Sequence, residues 1–195
     1  MLSERFNQAL VYAAQLHANQ KRKGSDVPYV THLLGVASIA LEYGAGEDEA
    51  IAALLHDAIE DQGGPATREE IRRRFGDTVT AIVDGCTDAE TIPKPPWRQR
   101  KEAYIAHIAN ASDQIILVSA ADKLHNCRSL LKDYHLIGDA LWDRFSGGKE
   151  GTLWYYRSLV TAFRQRGTTP IIEELDRTVT ELENLSLNPP LTIAG

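Results

Sequence analysis

The run from Asp113 to Leu131 (DQIILVSAADKLHNCRSLL) repeats apolar residues at helical spacing over nearly its whole length. A helix that is apolar over most of its surface must be buried, so this segment belongs at the centre of a core wrapped by other helices. Asp122 interrupts it, and Asn126 follows one turn later on the same face. A carboxylate inside such a helix is costly to bury unless it is paired or bound to a cation. Two explanations stand at this point. Asp122 pairs with Lys123, Arg128 or a helix amino end, or it ligates a metal.

The rest of the chain reads as helix around that element, and strand signals are nearly absent. Ser3 caps a helix to about His17, and Gln20–Pro28 is a basic loop with a glycine turn. A second helix spans about Thr31–Tyr43. Asp48 caps a third, from Glu49 to about Asp61, closed by Gly63-Gly64-Pro65. Thr67 and Glu70 form a capping box for a short helix closed by Gly76, and Asp77 caps the next, ending near Gly85. The prolines of 87–96 exclude helix there. Helices follow over Trp97–Asn110, Gly138–Phe145 and Lys149–Arg166. Thr169-Pro170 opens the last, which carries Ile172, Leu175, Val179 and Leu182 on one stripe. The expectation is one all-α domain over 1–195, a helical bundle with its core over about 5–166. A C-terminal helix spans about 170–185, and a loose tail covers 186–195. The final helix either covers the domain's own core or mediates a homo-oligomer.

Composition removes several function classes. At 43% hydrophobic and 25% charged over 195 residues, the chain is neither disordered nor fibrous. The net charge of −6 argues against a nucleic-acid binder, while leaving room for a local basic patch around a small anion. Cys86 and Cys127 are too few for a disulfide framework and form no CxxC pair. No apolar run approaches the roughly 18 residues that would span a membrane. The amino terminus lacks a signal-peptide core. A reduced, cytoplasmic protein without a membrane partner is expected.

The third helix carries the second anomaly. Its buried-looking Ala50–Leu55 stretch (AIAALL) runs straight into His56-Asp57 and Glu60-Asp61 (HDAIED). On a continuous helix His56 stands over Glu60 and Asp57 over Asp61, so three carboxylates and an imidazole share one sector. Crowded carboxylates repel unless a cation or solvent compensates. Spacing alone allows a solvated helix end as readily as a cation site. His32 begins the second helix, where a lone histidine also reads as a satisfied core residue. A metal accounts for all three segments together. His32, His56, Asp57 and Asp122 then supply two imidazoles and two carboxylates from three helices, as in other bundle-core sites. Nitrogen and oxygen donors without sulfur suit manganese or iron(II), with zinc or cobalt as alternatives. Glu60 and Asp61 are then placed to position a water and handle its proton.

Taken in order, RKGSDVPYVTH, ALLHDAIED, Thr87-Asp88 and ADKLHNCRSL resemble the signature of the HD metal-dependent phosphohydrolase superfamily. The set is most similar to the hydrolase domain of RelA/SpoT-type enzymes and stand-alone small alarmone hydrolases, over roughly residues 5–132. The resemblance implies an all-helical fold, one manganese ion, and removal of pyrophosphate from the 3′ position of guanosine tetra- or pentaphosphate. It makes His32, His56, Asp57 and Asp122 the metal ligands and Glu60 and Asp61 the dyad that activates water. Arg22 and Lys23 match a basic pair along the nucleotide, whose alternative is a solvated basic loop. Asn126 matches a nucleotide or ribose contact, with Arg128 in the adjoining segment or serving as a structural ion-pair residue. In TLWYYR, Tyr155 or Tyr156 could reach a phosphate, with core packing as the competing role. Three rivals remain: an adenosine 3′-pyrophosphate hydrolase, a broader HD phosphatase acting on nucleotides or NADPH, and a non-catalytic nucleotide sensor.

Overall fold

A computed structural model describes residues 1–88 and 93–187. Within them the chain forms α1 (Glu4–Leu16), α2 (Val30–Glu42), α3 (Glu47–Leu55), α4 (Ala58–Asp61), α5 (Pro65–Cys86) and α6 (Trp97–Ile108). α7 (Asp113–Ile137), a 3₁₀ segment (Gly138–Arg144), α8 (Gly148–Arg166) and α9 (Pro170–Leu187) complete the order. Among the described residues the only extended pairing is an isolated antiparallel bridge between Lys21 and Pro28. It closes the basic loop expected between the first two helices. The all-α expectation holds.

α7 is the central element. Ser112 caps it by accepting from the Ile115 amide. Its buried residues, from Ile116 through Tyr134, face α2, α3, α5 and α9. Ala120 and Ala121 have no exposed surface and keep the neighbouring backbones close to Asp122. α9 lays Ile171, Ile172, Leu175, Val179 and Leu182 onto α7 and α8. Its apolar stripe therefore covers the domain's own core, each fully buried aliphatic side chain contributing about 1.5–3 kcal/mol. The expected loose tail falls mostly outside the described residues, as do positions 89–92 of the proline segment.

Three boundaries differ from the sequence expectation, each for a local reason. Gly63 and Gly64 take positive φ values of 118° and 58° and make a turn, so Pro65 opens α5 rather than closing α3. Thr67 is therefore inside the helix, where its hydroxyl donates to the Gln62 carbonyl instead of capping. Glu70 pairs with Arg73 and Arg74. Gly76, at φ 90°, kinks α5 where two separate helices were expected. The third difference is the break between α3 and α4, and it shapes the site.

Candidate metal centre

Adjacent residues on a regular helix point about 100° apart, so His56 and Asp57 could not meet at one point if α3 continued. The helix stops at Leu55 and restarts at Ala58. This break turns the two side chains toward each other, and His56 Nε2 lies 3.0 Å from Asp57 Oδ2. The continuous helix to Asp61 expected from the sequence is thereby corrected. α2 brings His32 to the same place, with its Nε2 3.2 Å from His56 Nε2 and 3.5 Å from Asp57 Oδ2. α7 brings Asp122, whose Oδ1 is 3.2 Å from His32 Nε2 and 3.6 Å from His56 Nε2. The structure thus gathers all four expected residues. Both histidines are 1% exposed.

The donor set fits a divalent ion. Ligands about 2.1 Å from one ion lie about 3.0–3.5 Å from one another when adjacent, and these five separations, 3.0–3.6 Å, are close to that; His32, His56 and Asp57 form the tightest group, with Asp122 against both histidines. Each donor is also braced from behind. His56 Nδ1 lies 2.8 Å from the Ala53 carbonyl, and the Tyr29 hydroxyl donates to Asp57 Oδ2 at 2.6 Å. Lys123 and Asn126 each donate to Asp122 at 2.5 Å, so the Lys123 pairing foreseen as an alternative coexists with the cluster. His32 Nδ1 sits 2.9 Å from His125 Nδ1.

Charge is concentrated here. Burial penalises the His56 cation, but Asp57 and Asp122 outweigh it and hold its pKa well above the ordinary histidine value. Burial likewise opposes ionisation of Asp57 and Asp122. His56 and both imidazole hydrogen bonds hold Asp57 well below the usual carboxylate range, and Lys123 with the same imidazoles does so for Asp122. Two anions around two imidazoles therefore demand a positive charge, a proton or a metal.

Glu60 does not stack on His56 as the continuous helix predicted, whereas Asp61 keeps its place one turn from Asp57, its amide donating to the Asp57 carbonyl at 3.0 Å. The two carboxyl groups find different partners. Glu60 accepts from Lys94 at 2.6 Å and from the Asp88 amide at 3.2 Å. Asp61 accepts from Gln20 Nε2 at 2.8 Å. Gln20 is itself held by His17 and Gln62, both against its Oε1. Although Asp61 as a residue is exposed, the sheltering of its carboxyl, then the Asp57 charge, raise its pKa.

Beside the cluster opens a cleft of about 700 Å³. Arg22 and Lys23 line it from the loop before α2, Arg100 and Lys101 from α6, and Lys123 from α7. Among the described residues, Lys132 and Arg144 bring the cationic lining to seven, against one carboxylate, Asp133. In a chain of net charge −6 this is a local reversal of sign, suited to a polyanion of nucleotide size. Asn126 also lines the cleft, but both ends of its amide are engaged: Oδ1 accepts from Arg22 at 2.7 Å while Nδ2 faces Asp122. Tyr155 is 7% exposed and forms wall, with Lys101 Nζ 4.7 Å from its ring centre. Arg128 is corrected. It lies outside the cleft lining and pairs with Glu174 of α9, which also accepts from Tyr43.

The sequence reading missed Trp97, Arg100 and Lys101 as cleft residues, and His125 as a neighbour of the cluster. Long-range packing seats α6, with Trp97 against Gly147 and Gly151, and no local spacing announces that. For His125 a signal existed, since it stands one turn from Asp122 on α7.

The HD domain family matches residues 9–145. The guanosine-3′,5′-bis(diphosphate) 3′-pyrophosphohydrolase MESH1 of Xenopus tropicalis is 42% identical over 126 residues, covering 63% of this chain and 68% of that protein. MESH1 of Drosophila melanogaster is 37% identical over 131 residues, covering 66% and 70%. A GTP pyrophosphokinase of Streptomyces coelicolor is 38% identical over 119 residues, which is 60% of this chain but only 14% of the relative. Among solved structures, a metazoan ortholog of SpoT that hydrolyses ppGpp superposes with a TM-score of 0.76 at 28% identity. The match covers 93% of this chain and 97% of that one.

Proposed function

The chain belongs to the HD-domain family, and from that premise we propose that it is a divalent-metal phosphohydrolase of guanosine 3′,5′-bis(diphosphate)-type nucleotides. It removes the 3′-pyrophosphate and releases the nucleoside 5′-di- or triphosphate. The observation that carries this reading is a four-donor cluster beside a cleft lined, among the described residues, by seven cations and one carboxylate. The MESH1 relatives and the ppGpp-hydrolysing structural neighbour support the substrate class.

In this reading His32, His56, Asp57 and Asp122 hold one ion, for which manganese or iron(II) suits the donor set, ahead of zinc or cobalt. A bound ion of this kind offsets charge on phosphoryl oxygens and makes water more acidic. Glu60, pinned by Lys94 and the Asp88 amide, orients the attacking water. Asp61, its pKa raised, takes the proton and returns it to the leaving 3′ oxygen. Arg22 and Lys23 hold the base and outer phosphates. Arg100 and Lys101, tethered to Asp88 at 2.5 and 2.7 Å, add charge from the far element. Tyr155 closes the wall and keeps Lys101 in place.

The test is incubation of the manganese-loaded protein with guanosine and adenosine 3′-pyrophosphates and with NADPH, identifying the phosphate species released. Pyrophosphate from the guanosine compound is expected. Preference for the adenosine compound would reassign the base, and orthophosphate from NADPH alone would make the protein a broader phosphatase. Tight binding without turnover would make it a sensor.

A further inference from the structure

We propose that His125 is a positioning residue for the metal centre: it accepts the Nδ1–H of His32 and so fixes the tautomer that leaves His32 Nε2 free to bind the ion. The proposal rests on the reading of His32 as a ligand. Two ring nitrogens 2.9 Å apart need one proton between them. If His125 supplied it, a neutral His32 would carry its own proton on Nε2, directed at His56 Nε2 and Asp122 Oδ1, both 3.2 Å away. No ion could then be held. If His32 supplies it, the Nε2 lone pair faces the point that the other donors share.

His56 provides the parallel. Its Nδ1 lies 2.8 Å from the Ala53 carbonyl, a group that can only accept, so the neutral ring keeps its proton on Nδ1 and offers Nε2 once that nitrogen gives up its proton to make room for an ion. His32 has a histidine where His56 has a carbonyl. The placement of that histidine is built into both helices. His125 is one turn beyond Asp122 on α7, and its ring lies against Gly35, one turn beyond His32 on α2. A Cβ at Gly35 would fall 2.3 Å from His125 Cδ2 and Nε2. The bare backbone at Gly35 is what lets the imidazole come close enough to reach His32.

The test titrates Mn²⁺ into the full-length chain by electron paramagnetic resonance, for the wild type, His125→Leu, His125→Asn and His32→Ala. His125→Leu removes the acceptor and is expected to weaken Mn²⁺ binding about 10–100-fold. His125→Asn, whose side-chain oxygen can accept near the Nδ1 position, restores most of it. In the ¹⁵N-labelled, Zn²⁺-loaded wild type, a coupling across the N–H···N bond should join the two Nδ1 atoms, with the proton on His32. Wild-type affinity in His125→Leu, or a proton found on His125, overturns the proposal. Undiminished affinity in His32→Ala would instead bring down the metal-centre reading on which it stands. If His125→Leu does not fold, the coupling decides.

Discussion

Gly35→Ala adds one methyl group to an interior turn of α2, and the structure says where that methyl must go. Its Cβ would lie 2.3 Å from His125, whereas ordinary contact begins near 3.4 Å, so the ring must withdraw by about 1.1 Å. A hydrogen bond at 2.9 Å tolerates a few tenths of an ångström of lengthening before it weakens steeply, so the His32–His125 contact is lost. Two stability terms oppose each other. Alanine gains about 0.8–1 kcal/mol over glycine in a helix interior, and overpacking costs about 1–3 kcal/mol. The metal-free protein is therefore expected to lose at most about 2 kcal/mol in urea unfolding. Mn²⁺ affinity, which depends on the orientation of His32, should fall about tenfold or more. The double variant Gly35→Ala/His125→Ala removes the clash, so it should regain stability without regaining affinity. If Gly35→Ala binds Mn²⁺ as the wild type does and is stabilised by the full propensity gain, the ring is not seated as described and the reasoning fails.

Other outcomes follow from the same geometry. Without metal, the raised His56 pKa contributes stability that is complete below its unfolded value of about 6.5 and lost as pH rises through the folded value. The depressed Asp57 and Asp122 contribute stability present above about 3.9 and lost as pH falls through their folded values. Denaturant unfolding in EDTA should thus favour pH 5.5 over pH 8.5, and Mn²⁺, competing with the His56 proton, should stabilise more at the higher pH. An identical pH dependence with and without Mn²⁺ would contradict this. Glu60→Gln should lower kcat by about 10²–10⁴-fold while Mn²⁺ binding and the unfolding midpoint stay put, and a near-normal rate would remove Glu60 from the mechanism. Arg128→Ala should leave KM unchanged and cost no more than about 1 kcal/mol of stability, as a partly exposed ion pair to Glu174 allows. A large rise in KM would return it to the substrate.

Much of this architecture is legible in one dimension because helices announce themselves by period and caps. The Ser112 cap, the apolar length of α7 and the stripe of α9 are local properties, and the structure keeps them. The same logic explains the errors. Reading HDAIED as unbroken helix assumed that neighbours in sequence keep helical angles, whereas His56 and Asp57 meet only because the helix breaks between them and Ala58. The stacking of Glu60 on His56 was inferred from that same assumption and fails with it. Arg128 sits two residues from Asn126, and two residues along a helix turn a side chain through roughly 200°, away from the cleft and toward α9. Arg100 and Lys101 were unreadable for a different reason, since α6 reaches the cleft through long-range packing, with Trp97 against Gly147 and Gly151 and Lys101 over Tyr155.

The small residues tie the packing to the chemistry. Ala52 and Ala53 on α3, within one turn of His56, Ala58 next to Asp57, and Ala120 and Ala121 just before Asp122 on α7 have no exposed surface. Alanine holds the helices that carry these donors as close as a side chain allows. That closeness is consistent with the separations of 3.0–3.6 Å between His32, His56 and their carboxylate partners. A larger residue at any of these positions would spread the donors and weaken their shared grip on an ion without touching a ligand. Gly35 goes one step further: there even a methyl group would separate His125 from the histidine it supports. The apolar run through α7 and the charged cluster are therefore parts of one requirement. The close-packed core sets the spacing at which two carboxylates and two imidazoles can share a cation, and the polar edge of that core opens onto the cleft where an anionic substrate would meet it.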